Sequence, residues 1–185
     1  MLTGDEIKKL VKSGDIRISD FDESRLNPNS YNLRIGDEIG YYPLTEHSIV
    51  NEAGKTIYYL DSKKENEMEI VKIPEKEGII LMPGMLYLAK TMEKTYAKDL
   101  IPCISGRSSF ARLGVEVHRT AGFGDIGVDL NWTLEITVVH PVAIYAGQEI
   151  CQIYFEKPDG ETFIQYNGKY QNSTEIIGSR SFMDE

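Results

Sequence analysis

A helical period appears once in this chain of 185 residues, at its start, and the apolar residues beyond it recur mostly in short runs or at every second position. Thr3 stands three residues before Glu6 as a capping box, Ile7, Leu10 and Val11 follow at helical spacing, and Gly14 supplies a left-handed stop. After Gly14 the period changes to two. Tyr31, Leu33 and Ile35 alternate with Ser30, Asn32 and Arg34, and Gly36-Asp37 reads as the turn that ends this strand. Further short runs of β-branched and aromatic residues follow at Thr56 to Leu60, Glu69 to Ile73, Gly78 to Met82, Leu86 to Lys90 and Leu100 to Ile104. Later ones lie at Val115 to His118, Trp132 to Val139, Ile150 to Phe155 and Glu161 to Gln165, separated by Pro, Gly, Asn or Asp. Many short strands without intervening helices exclude an alternating α/β sheet and predict an all-β sandwich or barrel behind one short N-terminal helix.

The length suits one domain, here residues 1–185, with 168–185 as a C-terminal arm poor in core residues that needs a surface to order it. The charged stretch from Asp61 to Glu77 reads as solvated edge strands and a loop. Twenty Lys and Arg against 29 Asp and Glu leave a net charge of −9, which argues against a sequence-independent grip on nucleic acid. No run approaches the length of a membrane span, and no basic n-region precedes an apolar stretch. Cys103 and Cys151 are isolated and His47, His118 and His140 form no paired spacing, so neither a disulfide scaffold nor a zinc site is expected. The expectation is a soluble, thiol-reduced, cytoplasmic protein with no membrane or nucleic-acid partner.

Against that acidic background, Arg107, Arg112 and Arg119 face only Glu116 between positions 105 and 120, a local +2. Gly106 admits a close ligand, Ser108 and Ser109 offer hydroxyls and amides to an anion, and Phe110 to Leu113 can begin a helical turn. The segment is either a phosphate cradle or a polar turn capping a short helix. Asp125, bracketed by glycines, either meets a sugar hydroxyl or water or bonds its own turn. Glu135 shares a strand face with Thr133 and Thr137, opposite Leu134, Ile136 and Val138. It is either a solvated outer-face residue or a carboxylate in a partly dry cleft, suited to proton transfer.

Gly106-Arg107-Ser108-Ser109-x-Ala111-Arg112-Leu113-Gly114, His118-x-Thr120-Ala121, Asp125-x-Gly127, Leu134-Glu135 and Lys169-Tyr170-Gln171 resemble the dCTP deaminase family of the trimeric dUTPase-like superfamily. Asn27-Pro28-x-Ser30-Tyr31-x-Leu33-Arg34-Ile35-Gly36 resembles that family's amino-terminal signature. The resemblance implies a distorted β-barrel or jelly-roll-like β-clip, a homotrimer with sites between subunits, and hydrolysis of dCTP at cytosine C4 to dUTP and ammonia. It places Arg107, Ser108, Ser109, Phe110, Ala111 and Arg112 at the triphosphate and catalytic pocket. Thr133, Leu134 and Glu135 would meet the base, Asp125 the deoxyribose, and Gln152, Tyr166 and Lys169 further parts of the nucleotide. Glu135 would be the general base and acid, Ser108 and the Ala121 carbonyl would position the water, and Arg112 would hold the Glu135 carboxylate.

Zinc deaminases use an H-x-E and P-C-x-x-C signature that this chain lacks. The implied cofactor is therefore only Mg²⁺ carried by the triphosphate, with dTTP as an inhibitor. A dUMP-forming branch also cleaves pyrophosphate from dUTP, and Thr120-Ala121-Gly122-Phe123 and Ile150-Cys151-Gln152 lean towards it. A plain dUTPase and a catalytically silent nucleotide-binding protein are the remaining alternatives. Gly124, Ile126, Leu130 and Ser173 depart from the family pattern.

Overall fold

A computed structural model of the chain describes residues 1–161 and 164–184. The expected helix, α1 (Gly4–Ser13), is capped as its sequence suggests. The Thr3 hydroxyl accepts from the Glu6 amide at 3.3 Å, and Gly14, at φ 83°, turns its own amide back to the Val11 carbonyl. Ile7 is fully buried, which docks the helix on the barrel.

Two short strands, β1 (Ile16–Ile18) and β2 (Leu26–Asn27), lead into β3 (Ser30–Tyr41). A hairpin of β4 (His47–Val50) and β5 (Thr56–Tyr59) stands apart from the main sheet, and β6 (Glu69–Lys72) returns to pair with β3. Then come β7 (Ile79–Leu81), β8 (Tyr87–Ala97), β9 (Ile101–Gly106), the single turn α2 (Ser108–Ala111) and β10 (Val115–Glu116). The chain continues through β11 (Asp129–Val138), β12 (Val142–Ile144) and β13 (Glu149–Glu156). The main sheet runs β10-β11-β8-β3-β13-β9, with antiparallel neighbours throughout.

The segment between β10 and β11 nearly closes this sheet into a barrel. The Ile104 amide donates to the Gly122 carbonyl at 2.6 Å and the Gly124 amide to the Pro102 carbonyl at 2.8 Å, so the loop runs along the outer edge of β9. Tyr31, Leu33, Ile39, Leu134, Ile136 and Phe155, all fully buried, fill the interior.

Two strands outrun their sequence signals. Instead of turning at Gly36-Asp37, β3 bulges there. The Ile35 amide and carbonyl are taken by Gln148 and Gly147, and the strand passes from pairing with β13 to pairing with β8. The expectation of a turn is thus corrected to a bulge that lets one strand serve both sides of the barrel. Strand β8 continues past Lys90 because Thr91, Glu93 and Thr95, polar in sequence, occupy its buried face. The strand expected at Glu161 to Gln165 includes residues 162 and 163, which lie outside the described residues. The tail from 168 lies on the chain's own barrel. Asn172 and Asn131 amides donate to the Asp129 and Ser173 carbonyls at 2.9 and 2.8 Å, and Ile176 is buried. No helix is long and apolar enough to cross a membrane.

Candidate active site

Strand β11 alternates as its residues require: Leu130, Trp132, Leu134, Ile136 and Val138 point inward, while Asn131, Thr133, Glu135 and Thr137 point outward and are half-buried. Glu135 lies on a cleft of about 590 Å³ whose lining includes Tyr42, Ala121, Thr133, Tyr170 and Ser179. Its carboxylate Oε2 accepts the Arg119 amide at 2.9 Å, and its own amide donates to the Val117 carbonyl at 3.1 Å. No protein group donates to Oε1 among the described residues. A half-buried carboxylate with one anchored oxygen and one open oxygen on a cleft is suited to take and return a proton. Leu134 turns its side chain into the core, so only its main chain can touch a ligand.

The tail roofs this cleft. The Ser179 amide donates to the Tyr42 hydroxyl at 2.8 Å, the Ser181 hydroxyl to the Ser62 carbonyl at 2.7 Å, and the Arg180 amide to the Tyr170 hydroxyl at 3.0 Å. Lys169 does not face open solvent: its ammonium reaches both oxygens of Asp184 at 2.6 Å and the Arg180 carbonyl at 2.9 Å.

A second locus lies at α2. Ser108, Ser109, Ala111 and Arg112 are exposed, and Phe110 packs partly against the core. Arg107 donates to the Glu149 carbonyl at 2.6 Å and pairs with the Glu149 carboxylate at 3.2 Å. Gln152 donates to the Gly106 carbonyl at 2.9 Å and accepts from the Ser30 hydroxyl at 2.6 Å. The amino-terminal signature is therefore the scaffold beneath this turn. Asn27 donates to Asn32 at 2.7 Å and Asn32 to Glu149 at 2.8 Å, so one polar chain runs from β2 to Arg107. Arg34 serves a different network. With Arg25 it holds the fully buried Glu93, through Arg34 Nε at 2.6 Å and the Arg34 amide at 2.8 Å. That contact raises the Arg34 guanidinium above its usual value.

Of the three arginines in the basic segment, Arg107 is paired with Glu149 and Arg119 with Glu116 at 2.9 Å. Arg112 has no ion pair among the described residues, which leaves it the free cation of α2. It does not reach Glu135 within one chain. Within one chain the Arg119 amide anchors the Glu135 carboxylate instead, because the segment after β10 hydrogen-bonds directly to β11.

A third locus is a groove of about 1070 Å³ lined by His118, Phe123, Asp125, Tyr154 and Tyr166, among others. The Asp125 carbonyl accepts the Val128 amide at 3.2 Å, and its exposed carboxylate takes no hydrogen bond among the described residues. Gly124 explains one departure from the family pattern. A Cβ there would lie 2.6 Å from the Trp132 ring, whose Nε1 is fixed to Thr95 Oγ1 at 2.8 Å, so the indole occupies the room a side chain would need.

Among the described residues, no group of three or more His, Cys, Asp and Glu side chains is placed to hold a metal ion. Cys103 and Cys151 are buried free thiols, both pushed up by desolvation.

Residues 1–158 match the dCTP deaminase-like family model. The chain belongs to the dCTP deaminase-like family. Over 184 residues it is 46% identical to the dUMP-forming dCTP deaminase of Hathewaya histolytica, spanning 100% of this chain and 98% of that protein. It is 45% identical, again over 184 residues, to the dUMP-forming dCTP deaminase of Leptospira biflexa serovar Patoc, spanning 100% of this chain and 97% of that protein. The crystal structure of 2'-deoxycytidine 5'-triphosphate deaminase from Agrobacterium tumefaciens superposes with a TM-score of 0.58 at 19% identity. That match covers 83% of this chain and 47% of the other, and it shows a shared fold. The distorted β-barrel expected from the sequence is thus the fold of this family.

One cleft brings together Glu135, Thr133 and Ala121, while Asp125 and Tyr166 share the neighbouring groove. Ser108, Ser109 and Arg112 line neither. Sequence reasoning missed Tyr42 and Asn131 in the cleft, as well as the Arg119 amide. Tyr42 and Asn131 carry no local pattern, and a backbone amide leaves no mark in a sequence.

Proposed function

We propose that the chain hydrolyses dCTP at cytosine C4 and carries the product on to dUMP and pyrophosphate, within an assembly of three copies. The observation that carries this reading is Glu135: a half-buried carboxylate with a free oxygen on a cleft, in a member of this family. Water bound near the Ala121 carbonyl gives a proton to Glu135 Oε1 as its oxygen bonds to C4. Glu135 passes that proton to N3. The C4 hydroxyl of the resulting tetrahedral species then gives its proton, by way of Glu135, to the amine, the C4–N bond breaks as the C4 carbonyl forms, ammonia leaves, and dUTP remains. A second water cleaves between the α- and β-phosphates. The balance is one dCTP and two waters to one dUMP, one ammonia and one pyrophosphate.

The phosphates would sit against the amides and hydroxyls of Ser108 and Ser109 and the free Arg112, with Arg107 and Gln152 fixing that turn from below. Magnesium arrives with the triphosphate as part of the substrate, and Asp125 and Tyr166 would take the deoxyribose. The separation of α2 from Glu135 in one chain supports a site shared between copies, in which Ser108 and Arg112 of one copy complete the Glu135 cleft of another. Exposed Leu113, Phe123 and Val139 supply apolar surface for that contact. A pyrimidine triphosphate such as dTTP would compete for the same pocket.

The names of both relatives support dUMP, the alternative towards which the sequence leans, over dUTP as the product. The test is to incubate the protein with dCTP and Mg²⁺, measure ammonia, and separate dUTP from dUMP. Equal ammonia and dUMP are expected. Ammonia with dUTP would remove the second step, and dUTP cleavage with inert dCTP would reduce the protein to a dUTPase.

A further inference from the structure

Glu135 is held by a main-chain amide, and an amide can aim only if its own segment is fixed. Residues 118–121 are largely exposed and contain no strand, so nothing in their secondary structure fixes the Arg119 peptide. Beyond the Glu135 amide's bond to the Val117 carbonyl, three side chains hold it. Arg119 Nη1 donates to Glu116 Oε2 at 2.9 Å and to Thr137 Oγ1 at 3.3 Å, and Thr137 Oγ1 donates to the same Glu116 oxygen at 2.7 Å. Glu116 belongs to β10 and Thr137 to β11, and the two residues are register partners across that pair. The clasp therefore ties the loop back to the strand that carries Glu135, two residues from Glu135 itself.

We propose that Glu116, Arg119 and Thr137 are positioning residues for Glu135. By holding the Arg119 peptide they keep its amide on Oε2 and leave Oε1 facing the cleft, the orientation in which the carboxylate can meet water. Arg119 is thereby reassigned. Its charge belongs to the +2 segment in the sequence, yet in the fold its guanidinium is spent on Glu116 rather than offered to a phosphate. An exposed ion pair of this kind adds little to stability. Its effect lies in geometry, where a displacement of about 1 Å can cost as much as a hundredfold in rate.

The kinetic part rests on the proposed deaminase reading, so the test has one arm that does not need turnover. Hydrogen exchange on the ¹⁵N-labelled protein reads the amide at position 119 directly. In Arg119→Ala and Thr137→Val that amide should exchange about tenfold faster or more, while the Leu134 and Ile136 amides, in the part of the same strand paired with β8, keep their protection. With dCTP, kcat should fall about tenfold and KM stay within about twofold; Arg119→Lys and Thr137→Ser should recover all but about threefold of the loss. Unchanged exchange at position 119 in both disrupting variants overturns the proposal. So does a rise in KM matching the loss of kcat, or an Arg119→Lys protein no better than Arg119→Ala. If the unmodified protein releases no ammonia, the deaminase reading fails, and the exchange arm still decides whether the clasp holds the amide.

Discussion

Two carboxylates on neighbouring strands have opposite surroundings. Glu93 on β8 is fully buried and takes donors on both oxygens: Arg25 and Arg34 Nε on one, the Arg34 amide on the other. Glu135 on β11 is half-buried, lines a cleft, takes one amide on one oxygen, and has no protein donor on the other among the described residues. A carboxylate with its lone pairs occupied on both oxygens cannot exchange a proton without breaking the structure that holds it. One with an open oxygen can. The fold uses the same chemical group once as a fastener for the β3 bulge and, in the proposed reaction, once as a reagent, and the number of donors separates the two settings.

Exchanging each group for its amide sharpens the contrast. Glu135→Gln should lower ammonia release from dCTP by about a thousandfold, with the midpoint of thermal unfolding within about 1 °C and dCTP affinity by calorimetry within about threefold. Glu93→Gln should behave in the reverse sense. It leaves Arg25 and Arg34 without their anion and should cost about 3 kcal/mol in urea unfolding. A Glu93→Gln protein of full stability, or a Glu135→Gln protein that unfolds early, would break the distinction.

Gly124→Leu forces a side chain against the Trp132 ring and should cost about 2 kcal/mol, while also disturbing the loop that carries Ala121 and Asp125. Stability and ammonia release should therefore fall together, unlike in either carboxylate variant. Thr3→Ala, remote from both carboxylates, removes the cap of α1 and should cost about 1 kcal/mol with the rate per folded molecule unchanged.

The helix was readable because its cap, its apolar stripe and its left-handed stop are all local. Strand β8 reads short in the sequence because its buried face carries Thr91, Glu93 and Thr95, and a pattern of apolar residues cannot reveal polar groups whose partners lie elsewhere in the chain. The bulge in β3 looks like a turn in the sequence for a similar reason: the Gln148 and Gly147 groups that capture Ile35 lie more than a hundred residues away. At the candidate site, Glu135 stood out as one charge inside an apolar strand, and the α2 segment by its charge and glycines. What holds Glu135 was illegible, since the donor is a peptide N–H and its clasp joins two strands. The tail was legible as an arm, but its surface, the start of β11 and Tyr42, emerged only from the fold.

The separation of α2 from Glu135 within one chain makes the shared site the central claim. It is tested most directly by coexpressing Glu135→Gln and Arg112→Ala chains with different tags and purifying the hybrid assemblies. Each variant alone should be nearly inactive. Hybrids should regain about a third of the unmodified activity, because in every mixed trimer one interface of the three joins an intact Glu135 to an intact Arg112. Hybrids as inactive as their parents, or a protein that scatters light as a single 20.9 kDa chain, would contradict it.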